Sequence, residues 1–209
     1  MNYHDIAFTD NVKAIQEQNG SRQSYAKMHD RMDRPYLDQM AIQMIKESNS
    51  FYMASMGTND FPYIQHRGGP KGFLKVLDDN TLAFIDFSGN KQYISIGNFQ
   101  SNNKVALFLM DYARRARLKL YAEVEIKEIE EEVELMTKLD LGEYNYLPER
   151  IIVLHIKAFD WNCPQHITPR FTQEDLDEYM TNHKRYTATL EEEVMILRTE
   201  LKQYKTDKL

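Results

Sequence analysis

The sequence predicts a mainly β protein, an antiparallel barrel or sandwich with flanking helices, followed by a C-terminal helical arm. About seven apolar or alternating segments follow one another at short spacing between positions 51 and 161. Most of them are joined by tight connections, which is typical of antiparallel strands and not of a doubly wound parallel sheet. Near the C terminus, apolar residues recur three and four positions apart, which indicates a helix.

The composition limits the partners that we expect. The 209 residues carry a net charge of -6, whereas a general nucleic-acid binder needs a basic surface. Cys163 is the only cysteine, so no internal disulfide can form. The apolar runs 106–110 and 151–154 are too short to cross a bilayer, and the first residues lack the pattern of a signal peptide. We therefore expect a cytoplasmic protein without membrane or nucleic-acid partners.

The N-terminal part of the chain precedes the predicted strands. Residues 1–34 are polar and mixed, and we expect them to pack on the barrel or on a partner subunit. A helix is predicted from Pro35, which suits a first turn, to the Ser48–Ser50 stretch. Its apolar face is predicted to contain Leu37, Met40, Met44 and Ile45.

The barrel domain is predicted to span residues 35–171. A turn at 78–80 favours a hairpin, residues 89–98 form a loop that leads into a short helix, and Glu130–Leu139 is a second short helix. The predicted strands are Phe51–Met56, Phe61–Arg67, Phe73–Leu77, Thr81–Asp86, Lys104–Asp111, Arg117–Ile129 and Arg150–Trp161.

The arm is predicted to span residues 172–209. Thr172 suits a helix N-cap, and acidic residues follow it in the first turn. A short heptad stripe is formed by Leu190, Val194, Leu197, Leu201 and Tyr204. The stripe predicts either a helix that packs on its own barrel or a helix that clasps a second subunit.

A glycine-rich segment separates the second and third predicted strands. Residues 68–72 contain three glycines and a proline, which interrupt a sheet and indicate a close approach of the backbone to something else. Arg67 and Lys71 flank it, so exposed amides beside two cations predict a phosphate cradle. The alternative is a surface loop with solvated charges. The segment matches neither a Walker A loop nor GxGxxG.

A second polar segment follows the fourth strand. Its hydrogen-bonding side chains lie where a strand ends and a helix begins, and the start of a helix favours anions. These side chains are Ser88, Asn90, Lys91 and Gln92. Alone, the segment is also compatible with an ordinary capped loop. Together with the glycine-rich segment, it predicts a two-sided phosphate site.

A third basic cluster opens the sixth strand. Because strand side chains alternate, Arg117 and Lys119 share one face and offer positive charge to an anionic ligand. The alternative is a solvated strand start.

Other catalytic chemistry has little support. Cys163 and His166 have the spacing of half a zinc site, but no second pair matches them, so no metal site is predicted. Cys163 as a nucleophile would need an adjacent base, and the sequence places none beside it. Neither a GxSxG motif nor a carboxylate pair is present.

Several segments together resemble a known family. RGGPKGFLKVLDDNTLAFIDFSGNKQYISIGNF (67–99) and DYARRARLKLYAEVE (111–125) are similar to the pyridoxamine 5′-phosphate oxidase-related flavoproteins. WNCPQHITPRF (161–171) and QEQNGSRQSYAKM (16–28) resemble one subgroup of them. The resemblance covers residues 8–172.

The resemblance implies a six-stranded antiparallel split β-barrel that forms a homodimer, with FMN bound in clefts between the subunits. It implies phosphate contacts at Arg67, Lys71, Ser88, Lys91, Asn90 and Gln92. It implies that Arg117 and Lys119 face the flavin ring or a substrate. A late tryptophan and arginine of the oxidase correspond to Trp161 and Arg170.

The resemblance also implies an activity, namely an FMN-dependent oxidoreductase that acts on a small molecule, with electrons from that molecule or from a nicotinamide nucleotide. Residues 162–166 replace the substrate-binding pattern of the oxidase, so we expect a relative of that enzyme with another substrate. The alternatives are a non-catalytic barrel that binds or senses flavin or haem, a barrel that holds a deazaflavin, and an interaction protein that recruits a partner through its C-terminal helix.

Overall fold

The computed structural model describes residues 2–29, 36–161 and 164–206. The chain divides into two compact units, Met1–Ile167 and Thr168–Leu209. The predictions for Pro35 and Cys163 lie outside the described residues. Within the described part of the chain, no helix is both long and apolar enough to cross a membrane.

The first unit is built on one antiparallel sheet. Its strand order is β2-β1-β5-β6-β7-β4-β3, and every neighbouring pair is antiparallel. The strands are β1 (Ser50–Met56), β2 (Pro62–Gly68), β3 (Lys75–Val76), β4 (Thr81–Phe87), β5 (Lys104–Asp111), β6 (Ala116–Lys127) and β7 (Pro148–Trp161). The predicted mainly β fold is confirmed, and the described residues form six long strands and a seventh of two residues.

The sheet curls around a common interior. Three strands separate β1 from β4 in the sheet order, yet the rings of Phe51 and Phe84 meet with their centroids 5.4 Å apart. On the same side, Arg67 of β2 forms an ion pair with Asp86 of β4. These contacts close the sheet through side chains. Within the described residues, β2 and β3 are the edge strands of the sheet and form no backbone hydrogen bonds with each other as strands. This arrangement is a split barrel.

The core explains the apolar character of the central strands. Alternate residues of β6, including Leu118 and Leu120, point into the barrel, where Ala41 and Ile45 of a helix join them. A second cluster, on the other face, packs Ile85 and Ile151 against Leu139. Strands β4 and β7 are therefore buried on both faces and read as continuous apolar runs.

In the described part of the first unit, six helices accompany the barrel: α1 (Tyr3–Ala7), α2 (Asp10–Gln18), α3 (Arg22–His29), α4 (Gln39–Glu47), α5 (Ile94–Ser101) and α6 (Val133–Lys138). A 3₁₀ turn, Ile129–Glu131, precedes α6. The first three helices lie in the segment for which the sequence predicted no element. Helix α4 begins after Asp38, whose Oδ1 accepts the N–H of Ala41 at 2.8 Å. Placing Met40 on its buried face was wrong, since Met40 is 69% exposed and Ala41 is buried instead.

The second unit contains α7 (Gln173–Thr206), a helix of 34 residues. The predicted N-cap is confirmed: Thr172 Oγ1 accepts the N–H of Asp175 at 3.1 Å. In return, Asp175 Oδ2 accepts the N–H of Thr172 at 2.8 Å, which completes a reciprocal capping box.

Candidate functional site

A cleft of about 240 Å³ opens on the split side of the barrel. It lies among the ends of β2 and β4, the loop that enters α5, and the start of β7. It brings together four residues that the sequence predicted as phosphate ligands: Arg67, Asn90, Lys91 and Gln92. The other walls are formed by Tyr63, Gln65, Asp86, Phe87, Gly89, Tyr93, Ile94, Ser95, Ile96, Glu149 and Arg150.

A buried carboxylate organises the floor of the cleft. Asp86 is 3% exposed and forms ion pairs with Arg67 and, at 2.7 Å, with Nη1 of Arg150. Arg150 Nη2 lies 3.1 Å from Oε2 of Glu149. These two guanidinium groups and two carboxylates balance each other, so the ammonium of Lys91 leaves the cleft with a positive charge.

Arg67 retains an unused donor within this network. Its guanidinium lies 5.7 Å from the centroid of the Phe84 ring, and its Nε is buried without a hydrogen-bond partner. A buried N–H without an acceptor costs about 1–3 kcal/mol, so native structures rarely keep one. An anionic oxygen bound in the cleft would supply the missing acceptor.

The loop before α5 has an unusual backbone. Lys91 and Tyr93 both adopt left-handed conformations, with φ of 59° and 52°, and Asn90 Oδ1 accepts the N–H of Gln92 at 3.2 Å. Left-handed residues other than glycine cost energy and are concentrated at functional sites. Tyr93 is also the N-cap residue of α5, but its side chain makes no capping hydrogen bond. The first amides of α5 are therefore left uncapped by that side chain, which suits an anion.

Glu149 holds the loop against β7. The Tyr93 hydroxyl donates to Glu149 Oε1 at 3.2 Å, and the Arg150 guanidinium lies 5.4 Å from the Tyr93 ring centroid. A hydrogen bond from Ser88 is the largest cause that lowers the pKa of Glu149, followed by the bond from Tyr93 and the charge of Arg150, while burial opposes them. Ser88, which was predicted as a phosphate ligand, does not line the cleft and instead hydrogen-bonds to Glu149.

Sequence reasoning missed Asp86, Glu149 and Arg150. Asp86 and Arg150 are register partners on β4 and β7, although 64 positions separate them along the chain. The one signal in the sequence was a charged residue near the end of an apolar strand. That residue is Asp86, and only the pairing of β4 with β7 brings Arg150 beside it.

The glycine-rich segment has a structural role. The N–H groups of Gly69 and Gly72 donate to the carbonyls of Asn49 and Ser48, each at 3.0 Å. A Cβ at Gly69 would lie 2.7 Å from Cγ of Phe73, and Gly72 has a left-handed φ of 73°. The expectation that these two amides are exposed to a ligand was therefore wrong, because the end of α4 occupies them. The exposed Lys71 does not line the cleft.

The structure places two predicted cations on the outer face of β6. Lys119 Nζ donates to the Tyr3 hydroxyl at 3.3 Å and lies 5.7 Å from the centroid of its ring. Lys119 also borders an apolar hollow of about 280 Å³, lined by Tyr52, Ala54, Ile64, Ala106, Leu107, Phe108, Leu120 and Tyr121. Arg117 lies on the same face and has a buried Nε without a hydrogen-bond partner.

The last two predicted residues lie elsewhere. Trp161 packs against the core, and its Nε1 donates to Asp38 Oδ2 at 3.3 Å. Arg170 belongs to the second unit. Among the described residues, no group of three His, Cys, Asp or Glu side chains could hold a metal ion.

Fold and cleft together define a split-barrel protein with a cationic cleft at the open side of the barrel. The chain belongs to the pyridoxamine 5′-phosphate oxidase family, whose model matches residues 37–157. The match includes every strand except the last four residues of β7, and it includes the whole cleft.

Solved structures with a similar arrangement come from several bacteria. HupZ from Group A Streptococcus is 15% identical over 65% of this chain and 100% of its own, with a TM-score of 0.49. An FMN-binding protein from Syntrophomonas wolfei is 15% identical over 70% and 97%, with a TM-score of 0.45. General Stress Protein 26 from Bacillus anthracis is 16% identical over 63% and 94%, with a TM-score of 0.42. The comparison with curated proteins found no match.

Proposed function

We propose that the protein binds FMN and that the cleft holds its phosphate. The observation that carries the proposal is the buried, unpaired Nε of Arg67 beside Lys91 and an uncapped helix start, in a chain of this family. A phosphate offers several acceptors to guanidinium, ammonium and amide donors together. The residues of the cleft therefore fit the group.

Each part of the cleft has a distinct role in this proposal. Arg67 donates to the phosphate while Asp86 fixes the orientation of its guanidinium. Lys91, Asn90 and Gln92 contribute from the loop. Ser88 hydrogen-bonds to Glu149 and helps to hold that side chain at the wall of the cleft. The flavin, when bound, supplies electron and hydride transfer at its ring, while the protein binds and orients it.

We further propose a homodimer, and the outer face of the barrel supports this proposal. Ile64, which lines the apolar hollow of β1, β2, β5 and β6, is 67% exposed. Apolar patches on a protein surface mark interaction sites. We infer that a second subunit covers this face and that Arg117 and Lys119 reach the flavin or substrate bound between the subunits. For Lys71, Trp161 and Arg170, contacts with the cofactor rest on the family resemblance.

The proposed activity is FMN-dependent oxidation or reduction of a small molecule, with electrons from that molecule or from a nicotinamide nucleotide. The two carboxylates of the cleft are already engaged by arginines, so the protein acts here through binding and orientation. A single cysteine suits the reducing cytoplasm, where we infer that the protein works.

The cofactor is tested by the visible spectrum of the purified protein and by mass spectrometry of the small molecule that it releases on denaturation. A flavin spectrum with FMN released supports the proposal. Release of a deazaflavin or haem would overturn it, and so would a colourless protein that takes up no added FMN.

Turnover is tested separately on the loaded protein. Bleaching of the flavin absorbance by NADH or NADPH without oxygen, and its recovery with an added acceptor, supports an oxidoreductase. Flavin that stays oxidised with either nucleotide, and with candidate substrates, would instead support a binding or sensing module.

A further inference from the structure

Helix α7 presents an apolar stripe to its surroundings. Its 34 residues extend over about 51 Å. The stripe side chains Leu190, Val194, Leu197 and Leu201 are 41–62% exposed. A helix with an uncovered apolar stripe gains most of its stability from a partner surface.

The stripe extends beyond the five residues from Leu190 to Tyr204. In a heptad written abcdefg, Leu190 and Leu197 occupy d, while Val194 and Leu201 occupy a. The same frame, extended towards the N terminus, places Leu176 at d and Met180 at a, both 46% exposed. The a and d positions from 176 to 204 thus extend over about four heptads.

We propose that α7 pairs with α7 of a second copy of this chain in a parallel, two-stranded coiled coil. Identical helices present identical stripes, so the surface is self-complementary about a twofold axis. A β-branched Val194 at a, between leucines at d, favours two strands.

Charges beside the stripe favour the parallel orientation. In a parallel pair, position g of one helix faces position e of the next heptad on the other helix. Glu193 at g therefore faces Arg198 at e, an attractive pair formed twice in the dimer. The preceding pair, Tyr186 and Glu191, brings no like charges together. An antiparallel pair sets g against g, which removes the attraction between Glu193 and Arg198.

Two polar positions interrupt the stripe and set its register. Thr187 lies at a and His183 at d, one turn apart. The Thr187 hydroxyl donates to the carbonyl of His183 at 2.9 Å, so it can enter the interface with its donor already satisfied. A shift of one heptad would place these two residues against leucine, methionine or valine. Polar core residues fix register in this way.

Cysteine cross-linking in the full chain tests the proposal. In a Cys163→Ser background, Leu197→Cys places a thiol at d, and Thr199→Cys places the matched control at f, on the opposite face. Diamide joins two thiols by a disulfide and is itself reduced. We expect the Leu197→Cys protein to form covalent dimers roughly tenfold faster or more than the control, because paired helices hold the two thiols at high effective concentration.

Equal rates for the two thiols would overturn the proposal, and so would the absence of dimers in Leu197→Cys. An antiparallel pair also fails to join the two copies of position 197, because that position then faces the N-terminal half of the other helix. The inference does not rest on the proposed function, since the cross-link is expected with or without flavin. A barrel dimer whose arms stay apart would retain flavin and give no cross-link.

Charge reversal sharpens the test of orientation. Glu193→Arg, or Arg198→Glu, should slow the cross-linking of Leu197→Cys, and the double reversal should restore it. Failure of the double variant to recover would contradict the pairing of positions 193 and 198.

Discussion

Two neighbouring segments, both predicted as phosphate loops, have opposite properties in the structure. In the glycine-rich segment 68–72, the amides of Gly69 and Gly72 donate to carbonyls of Asn49 and Ser48, which directly follow α4. In the loop 88–93, Lys91 and Tyr93 have left-handed backbones. Tyr93 is the N-cap residue of α5, and its side chain makes no capping hydrogen bond. The comparison shows that glycine content does not reveal which amides are free. Whether an amide is free depends on whether another part of the fold supplies a hydrogen-bond acceptor for it.

Removing the Asp86 carboxylate, at the floor of the cleft, should have the largest effect, a loss of stability. Asp86→Ala leaves Arg67 and Arg150, whose side chains are 13% and 17% exposed, without their shared partner. Unpairing buried charges costs about 3–5 kcal/mol, which denaturant unfolding should show as a lower free energy of unfolding. Asp79→Ala, at an exposed turn, is the control and should change it by about 0.5 kcal/mol or less. Similar stabilities for the two variants would contradict the network.

Removing the Lys91 ammonium from the loop 88–93 should weaken FMN binding. A charged hydrogen bond contributes about 1.5–3 kcal/mol, so Lys91→Ala should raise the Kd for FMN about 10- to 150-fold. The side chain is exposed, so the free energy of unfolding should not change. Lys71→Ala, at the glycine-rich segment, should raise the Kd less. If Lys71→Ala had the larger effect in fluorescence titrations, the phosphate would belong to the glycine-rich segment.

A methyl group at Gly69 should damage packing without touching the cofactor. Its Cβ would lie 2.7 Å from Phe73, and overpacking of this kind costs about 1–3 kcal/mol. Gly97→Ala is the matched control, because a Cβ there has nothing within 4 Å and the residue lies within α5. The control should stabilise the protein by about 0.5–1 kcal/mol. Unfolding curves that place both variants on the same side of the wild type would refute this assignment.

The pH dependence of the cleft should be the smallest effect. Because the folded state lowers the pKa of Glu149, its contribution to stability is fully present above the unfolded value, near 4.5, and is lost as pH falls through the folded value. Glu149→Gln should therefore be less stable than the wild type at neutral pH, and the difference should shrink as pH falls from about 4.5 through the lowered pKa of Glu149. A stability difference that is independent of pH would show that the charge of Glu149 contributes nothing.

Much of the sheet could be predicted because alternation reports burial locally. Strand Lys104–Asp111 has the same bounds in sequence and structure, and Arg150–Trp161 was short by two residues. The third strand was overestimated, as Phe73 and Leu74 are buried in the turn held to α4 and only Lys75–Val76 pair. The three N-terminal helices lacked a continuous apolar stripe and were missed.

The cleft could be predicted only in part, because the sequence groups residues that are close along the chain. Lys91 and Asn90 lie near each other in the chain, so the sequence could group them. Asp86, Arg150 and Arg67 meet through strand register and barrel curvature, which depend on contacts between distant segments. The partners of the glycine amides depend on the end of α4, about twenty residues earlier in the chain.

The most direct test of the central claim compares the binding of FMN and riboflavin to the wild-type apoprotein. Riboflavin has the same ring but lacks the phosphate. If the cleft holds the phosphate through Arg67, Lys91 and the start of α5, FMN should bind at least about tenfold more tightly than riboflavin. Equal dissociation constants for the two flavins would contradict the claim.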